Sequence, residues 1–452
     1  MRLGLRRCFV LLTLALSVRG GFSTELSWLG LEKNDDFYGV RLGLLRTNGD
    51  VTGVDVTAIS ESTNRVRALS LVAGGYAEHF QGLSFDLMAG WKRMDGLRFS
   101  VAGSQGDLNG VTIGLLGPVT GSVSGISVLH LFATARPMDV TGVLIGDHVS
   151  VSGRVEGITV GILCAKATEL RGLQVGLANS AQIIDEAAGQ IGLHNYLGAP
   201  TNDAAAVAVQ VGGKNATCEA SDLVQFGLWN NGWATNRAVA VGLLNQVEAP
   251  FGILLGAWNQ TKRLDGGILG VVNLSTEIQG VAVGAVNLSA DSLQGMQIGL
   301  YNFARFARAF QVGAWNEAHS LEGLQLGLVN RAIEGGSMCQ IGAYNEAGVL
   351  HGLQAGLLNR AQYGERWVFQ VGVVNLLGDR RVLRSGDRPS ETPKGRWVFQ
   401  AGLVNWVSSG AFAETRDRHP DDERTLNQVG ALNLRVEDSH RQVGWPLVHV
   451  RF

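Results

Sequence analysis

From Gly39 onward, apolar and polar residues alternate in short bursts that never settle into a helical stripe. In "GLQLGLVN", Leu324, Leu326 and Leu328 fall on one face and Gln325, Gly327 and Val329 on the other. That period of two predicts a β-strand. A helix is disfavoured because each burst carries two or more glycines, each costing about 1 kcal/mol against alanine in a helix interior. The remaining half of each burst, such as "RAIEGG" or "EAHSLE", predicts a corner and a further short strand.

The bursts repeat. From Gly176 on, a Gly stands three residues before an Asn in each, and most steps are 14 or 15 residues. The Asn positions include Asn179, Asn230, Asn245, Asn259, Asn273, Asn287, Asn302, Asn316, Asn330, Asn345 and Asn359. Two residues before the Gly the usual residue is Gln, as at Gln297, Gln311, Gln325, Gln340 and Gln354. Residues 39–156 lack the Asn but keep the beat, as "GLSFD" at Gly82 and "GVTIG" at Gly110 show. About 26 such units tile residues 39–446, divergent over 39–156 and regular over 157–446, with insertions at 377–396 and 407–426. The array therefore reads as one domain, preceded by a cap over 24–38 and followed by a last strand over 447–452.

Two all-β architectures absorb such an array. In a parallel β-solenoid each unit is one turn, and like residues stack at about 4.8 Å. Stacked Asn and Gln side chains then form amide ladders, which gives a physical reason for holding them at fixed phase. The alternative is an antiparallel outer-membrane β-barrel, in which each unit is one strand of about 9 to 11 residues with its turn. The terminal "WPLVHVRF", ending in Phe452, resembles the aromatic last strand of such barrels. Loop parity favours the solenoid. A barrel places long loops after every second strand, yet the two insertions follow consecutive units.

Composition narrows the class. Gly is 62 of 452 residues, charged residues are only 17% and apolar residues 46%, which excludes disorder. The glycines do not recur every third residue, so collagen is excluded. A net charge of −2 without a basic stripe gives no reason to expect nucleic acid. At the start, Arg2, Arg6 and Arg7 precede the apolar run Cys8 to Leu16 and then small residues, which predicts a secretory signal over residues 1–23. Past it stand Cys164, Cys218 and Cys339, read as three small buried residues rather than a disulfide framework.

The "GLQLGLVN" and "GMQIGLYN" units resemble the bacterial surface-repeat proteins first described in leptospires, with their Gly-x-Gln-x-Gly-Leu-x-Asn repeats. The likeness covers Gly157 to Asn433 well and the earlier units approximately. It implies an exported protein at the cell surface or outer membrane of a Gram-negative bacterium, without an agreed biochemical activity.

Searched by mechanism, the sequence holds no Gly-x-Ser-x-Gly elbow, Walker loop, HExxH or paired CxxC. His194, His319 and His351 read as solvated corner residues, and no metal or other cofactor is expected. The mixed-charge "ETRDRHPDDER" reads as a solvated loop, and sequons such as that at Asn215 as by-products of the repeat phase. The reading that results is a non-enzymatic exported protein with a structural, adhesive or interaction role at the bacterial surface. Its partner would be an unidentified surface ligand or envelope component, with outer-membrane association. The alternative is an outer-membrane barrel or channel.

Overall fold

The computed structural model describes residues 23–27, 36–116, 118–135, 137–200, 206–249, 251–378, 396–408, 424–437, 440–444 and 449–451. Most of the expected signal, the two insertions for most of their length, and Phe452 lie outside these residues. The chain divides into two compact units, Met1–Trp233 and Ala234–Phe452. Among the described residues there is no helix. Each unit is a parallel β-solenoid, and together they contribute about 21 turns, somewhat fewer than the 26 or so units the spacing implies. The barrel alternative is overturned by this parallel pairing, since a transmembrane barrel closes through antiparallel neighbours.

In the first unit, β1 (Ser23–Ser27), β2 (Phe37–Asn48), β3 (Val51–Ala102), β4 (Gln105–Leu116), β5 (Val123–Ala135) and β6 (Val140–Pro200) follow one another in the sheet, each parallel to the next. β6 then pairs with the start of β7 (Val207–Glu248). Like pairs with like: Gly39 with Gly53, Gly96 with Gly110, Gly110 with Gly125 and Gly125 with Gly142. These glycines hold φ between 133° and 149°, where a side chain is strained. A Cβ on Gly110 would also stand 2.1 Å from the Gly96 carbonyl oxygen of the turn before.

In the second unit, the end of β7 pairs with β8 (Phe251–Leu269), β8 with β9 (Val272–Val283), and β9 with β10 (Val286–Leu377), all parallel. β11 (Arg396–Ala401) and β12 (Val404–Ser408) stack on β10, and β13 (Arg424–Val429) and β14 (Leu432–Glu437) stack on them. The insertions leave the register intact, with Gln370 beside Gln400 and Asn405 beside Asn433. The stack ends differently. β15 (His440–Gly444) and β16 (His449–Arg451) pair antiparallel with β14 and β13, which occupies edge groups that a further copy of the sheet would otherwise find.

The interior of a regular turn is small. In the turn from Ala309 to Glu322, Gln311, Asn316, Ala318 and Leu321 are fully buried. Leucine or isoleucine fills the last inward position at Leu264, Ile278, Leu293, Leu321 and Leu350. Two amides, small residues such as Ala, Ser or Thr, and usually one branched apolar side chain thus make the core of a turn. Strict alternation fails at the second Gly. The chain bends there, so Val329 follows Leu328 outward and Asn330 turns inward.

Buried amides need partners, and stacking supplies them. Each Asn Nδ2 donates to the Oδ1 of the Asn one turn later, from Asn179 through Asn195 and Asn215 to Asn230 at 2.8 Å. In the second unit the chain of bonds runs from Asn245 through Asn259, Asn273, Asn287, Asn302, Asn316 and Asn330 to Asn345 and Asn359, at 2.7–2.9 Å. It continues through Asn375 and Asn405 to Asn433 at 2.8 Å. The second Nδ2 hydrogen goes to the carbonyl just before the next turn's Gly, as from Asn316 to Leu326 at 2.9 Å.

The glutamines run the other way. Gln311 donates to Gln297, Gln325 to Gln311, Gln340 to Gln325 and Gln354 to Gln340, each toward the preceding turn at 2.8–2.9 Å. The two ladders therefore carry opposed amide dipoles. Their ends show it. Asn179 Oδ1, at the start of a forward-donating ladder, and Gln225 Oε1, at the end of a backward-donating one, are buried without a hydrogen-bond partner. In the sequence, Cys164 precedes Asn179 and Ala240 follows Gln225 at the same phase, and neither supplies the missing amide.

The divergent units replace the Gln column with Arg41, Asp55, Ser70, Ser84, Arg98, Thr112 and Ser127, all buried. Arg98 donates from Nε and Nη2 to Asp86 at 3.0 and 2.9 Å, with the two side chains 2% and 0% exposed. Nη2 and Nη1 also donate to the Ala89 and Ser104 carbonyls. A charge so far from water needs this degree of satisfaction to be tolerated.

Candidate interaction surface

The amide ladders are inside, so the Asn and Gln columns present no face to a polymer or other ligand. Sequons such as those at Asn215 and Asn259 are likewise closed, since those side chains are fully buried in the stack. What stands outward on either side of the Gly bend is mostly apolar. Counting from the first residue of a turn, the second, fourth, sixth and seventh residues point outward, and in the second unit they are mostly Leu, Val, Ile, Phe, Trp and Tyr. Leu300, Leu328 and Leu357 are 67%, 65% and 63% exposed. Phe310, Ile253, Ile341 and Val371 continue the surface on one side of the Gly bend, and Trp258 and Trp315 on the other.

This inversion follows from the turn's width. A coil of 14 or 15 residues leaves interior room for few side chains, and stacked amides fill a narrow space at interior density while satisfying one another. The large apolar residues are displaced to the outside, on the two strands that meet at the Gly bend. Exposure of scattered leucines is ordinary, whereas a contiguous sheet of them marks an interaction site.

The bordering positions carry charge in balanced pairs. Arg308 meets Glu322 at 2.8 Å, and Arg331 lies 3.7 and 3.4 Å from Glu317 and Glu346 of the turns on either side. Arg360 stands 3.6 Å from Glu346. Tyr301, on the edge of the apolar surface, donates to Glu317 at 3.4 Å. Burial, followed by the nearby Glu317 charge, raises its pKa, so it remains an un-ionised donor at neutral pH.

The cysteines depart from expectation in their burial: all three are free, but Cys164 and Cys339 are only half-buried and Cys218 is exposed. Cys218 is exposed with its thiol 3.1 Å from the Tyr196 hydroxyl, while partial burial raises the Cys339 thiol pKa and keeps it protonated. His319 pairs with Glu334 at 2.8 Å, and His351 packs edge-on against Trp367. Among the described residues no group of three or more His, Cys, Asp or Glu side chains is placed to hold a metal. In a groove lined by Gln246, Gln260, Thr261, Ser275 and Thr276, the Glu248 carboxylate is paired with Lys262 at 2.9 Å. The repeat phase located the ladder residues, but not the outward apolar surface. No family model, no curated protein and no solved structure matches the chain.

Proposed function

We propose that this chain is an exported, non-enzymatic surface protein whose solenoid serves as a stiff scaffold carrying an apolar interaction face. The observation that supports this reading is the run of outward Leu, Val and aromatic side chains in the second unit, with the polar amides turned inward. A solenoid made only to be soluble would reverse that arrangement. The Arg-flanked apolar start and the repeat's resemblance to leptospiral-type surface proteins support an address at the envelope of a Gram-negative bacterium. The role is structural or adhesive, exercised through association.

Protease added outside intact source cells tests the address, together with the mass of the mature N-terminus and a carbonate wash. The mature chain is expected to lack about the first 17 to 23 residues, to be cleaved from outside, and to wash off without detergent. An unprocessed chain retained in the cytoplasm would overturn the proposal.

A further inference from the structure

The apolar surface of the second unit has relief. At the sixth position of successive turns the sequence reads Leu243, Ala257, Val271, Ala285, Leu300, Ala314, Leu328, Ala343 and Leu357. Branched side chains therefore alternate with alanine. Leu300, Leu328 and Leu357 stand out at 63–67% exposure, and Ala314 and Ala343 sit half-buried between them. Successive turns are about 4.8 Å apart, so the ridges recur at about 9.6 Å with a trough midway. A surface of that shape is complementary to itself after a shift of one turn.

We propose that this face docks on the same face of a second copy of this chain, with the leucine ridges of each seated in the alanine troughs of the other. Sheets packed face to face lie about 10 Å apart and interdigitate side chains in this manner. The area suffices. With about 75 Å² open per half-exposed large side chain, roughly ten such residues at the sixth and seventh positions between Leu243 and Leu403 leave on the order of 750 Å² of apolar surface on the ridge side of the Gly bend. A typical monomer exposes a largest patch of about 300–600 Å², and a stable interface covers about 800 Å² per partner.

The border supports a protein partner over a lipid one. Its charges are balanced and paired from turn to turn, as Arg308 with Glu322 and Arg331 with Glu346. That matches a polar interface rim, whereas an anionic bilayer calls for an excess of Lys and Arg beside the apolar face. Lipid tails, being fluid, also give no reason for a two-turn period.

The proposal rests on the apolar face identified above, not on the cellular address, and two variant pairs of the full chain test it without detergent. Leu300→Glu with Leu328→Glu removes ridges, and Ala314→Leu with Ala343→Leu fills troughs. Sedimentation velocity over a concentration series reads association, flotation with zwitterionic and anionic vesicles reads lipid binding, and far-UV circular dichroism checks the fold. Wild type is expected to dimerise. The ridge pair is expected to weaken dimerisation by at least about tenfold per leucine, and the trough pair to weaken it as well although it adds apolar surface. A wild type that stays monomeric would overturn the proposal, as would a trough pair that dimerises normally or floats with vesicles more strongly than wild type. A dimer formed by a chain kept in the cytoplasm would instead sink the surface role and leave the docking face standing.

Discussion

Replacing Gly327 by alanine is expected to destabilise the second unit severely, by more than about 4 kcal/mol, a size reserved for backbone clashes and comparable damage. A Cβ there would lie 2.1 Å from the Gly313 carbonyl oxygen and 2.6 Å from Asn316 Nδ2. The first contact is with backbone already committed to the sheet, so it cannot move without breaking register. The second is with the amide that bridges Asn316 to Asn330. Gly267 supplies the control. A Cβ at that position meets nothing within 4 Å, and its backbone is not in the left-handed region. Gly267→Ala is therefore expected to leave stability unchanged or raise it by about 0.4–1 kcal/mol through the unfolded chain. Urea denaturation followed by circular dichroism reads both. Similar midpoints for the two variants would contradict the close-approach explanation of the repeated Gly.

Asn316→Asp is the second large effect. Asn316 is fully buried, accepts from Asn302 at 2.8 Å, and donates to Asn330 and the Leu326 carbonyl at 2.9 Å. An ionised carboxylate keeps the accepted bond but sets an oxygen against two acceptors, in a place without water. A cost of about 3 kcal/mol is expected near neutral pH, at the upper end for an unsatisfied buried polar group. Burial and the missing donors raise the folded-state pKa of the new carboxyl above its unfolded value. Folding then takes up a proton, so the variant is relatively most stable below the unfolded pKa and loses that stability as pH rises through the folded one. The wild-type Asn has no such titration. The gap between the two urea midpoints should accordingly widen from pH 4 to pH 8, and a gap that stayed constant would argue that residue 316 faces water.

Much of this was legible in the sequence because a solenoid turns phase into space. Equal spacing of Gly, Gln and Asn implied that like residues stack, and Gly266 beside Gly280 or Asn259 beside Asn273 is that spacing seen in register. The direction of the side chains was less legible. Period-two reasoning separated Leu324 from Gln325 but held no information on which of them is inside, and the habit of burying leucine points the wrong way. The informative signal was in the second half of each unit, where Ala318, Ala332 and Ala347 follow the Asn by two residues and claim the interior. The alternation of Leu with Ala on the outer surface was also present in "GAWN", "GLVN", "GAYN" and "GLLN". It is visible only once those positions are known to share a column. The Arg98–Asp86 pair was not legible, because a 12-residue separation links two adjacent turns only when the bends are known.

The central claim is that successive repeats are successive parallel turns, and distances between spin labels within the second unit test it most directly. Lys262, Arg305 and Glu334 are exposed, and each stands four residues before the first residue of the next turn. Thr261 and Arg263 pair with Ser275 and Glu277 of the neighbouring turn, which fixes that phase at the start of the series. Labels at 262 and 305 are separated by three turns and labels at 262 and 334 by five. Pulsed dipolar spectroscopy should therefore give backbone separations near 14 Å and 24 Å, growing by about 4.8 Å for each turn added. Distances that alternate between long and short with each added repeat, as labels at opposite ends of antiparallel strands would give, would contradict the solenoid.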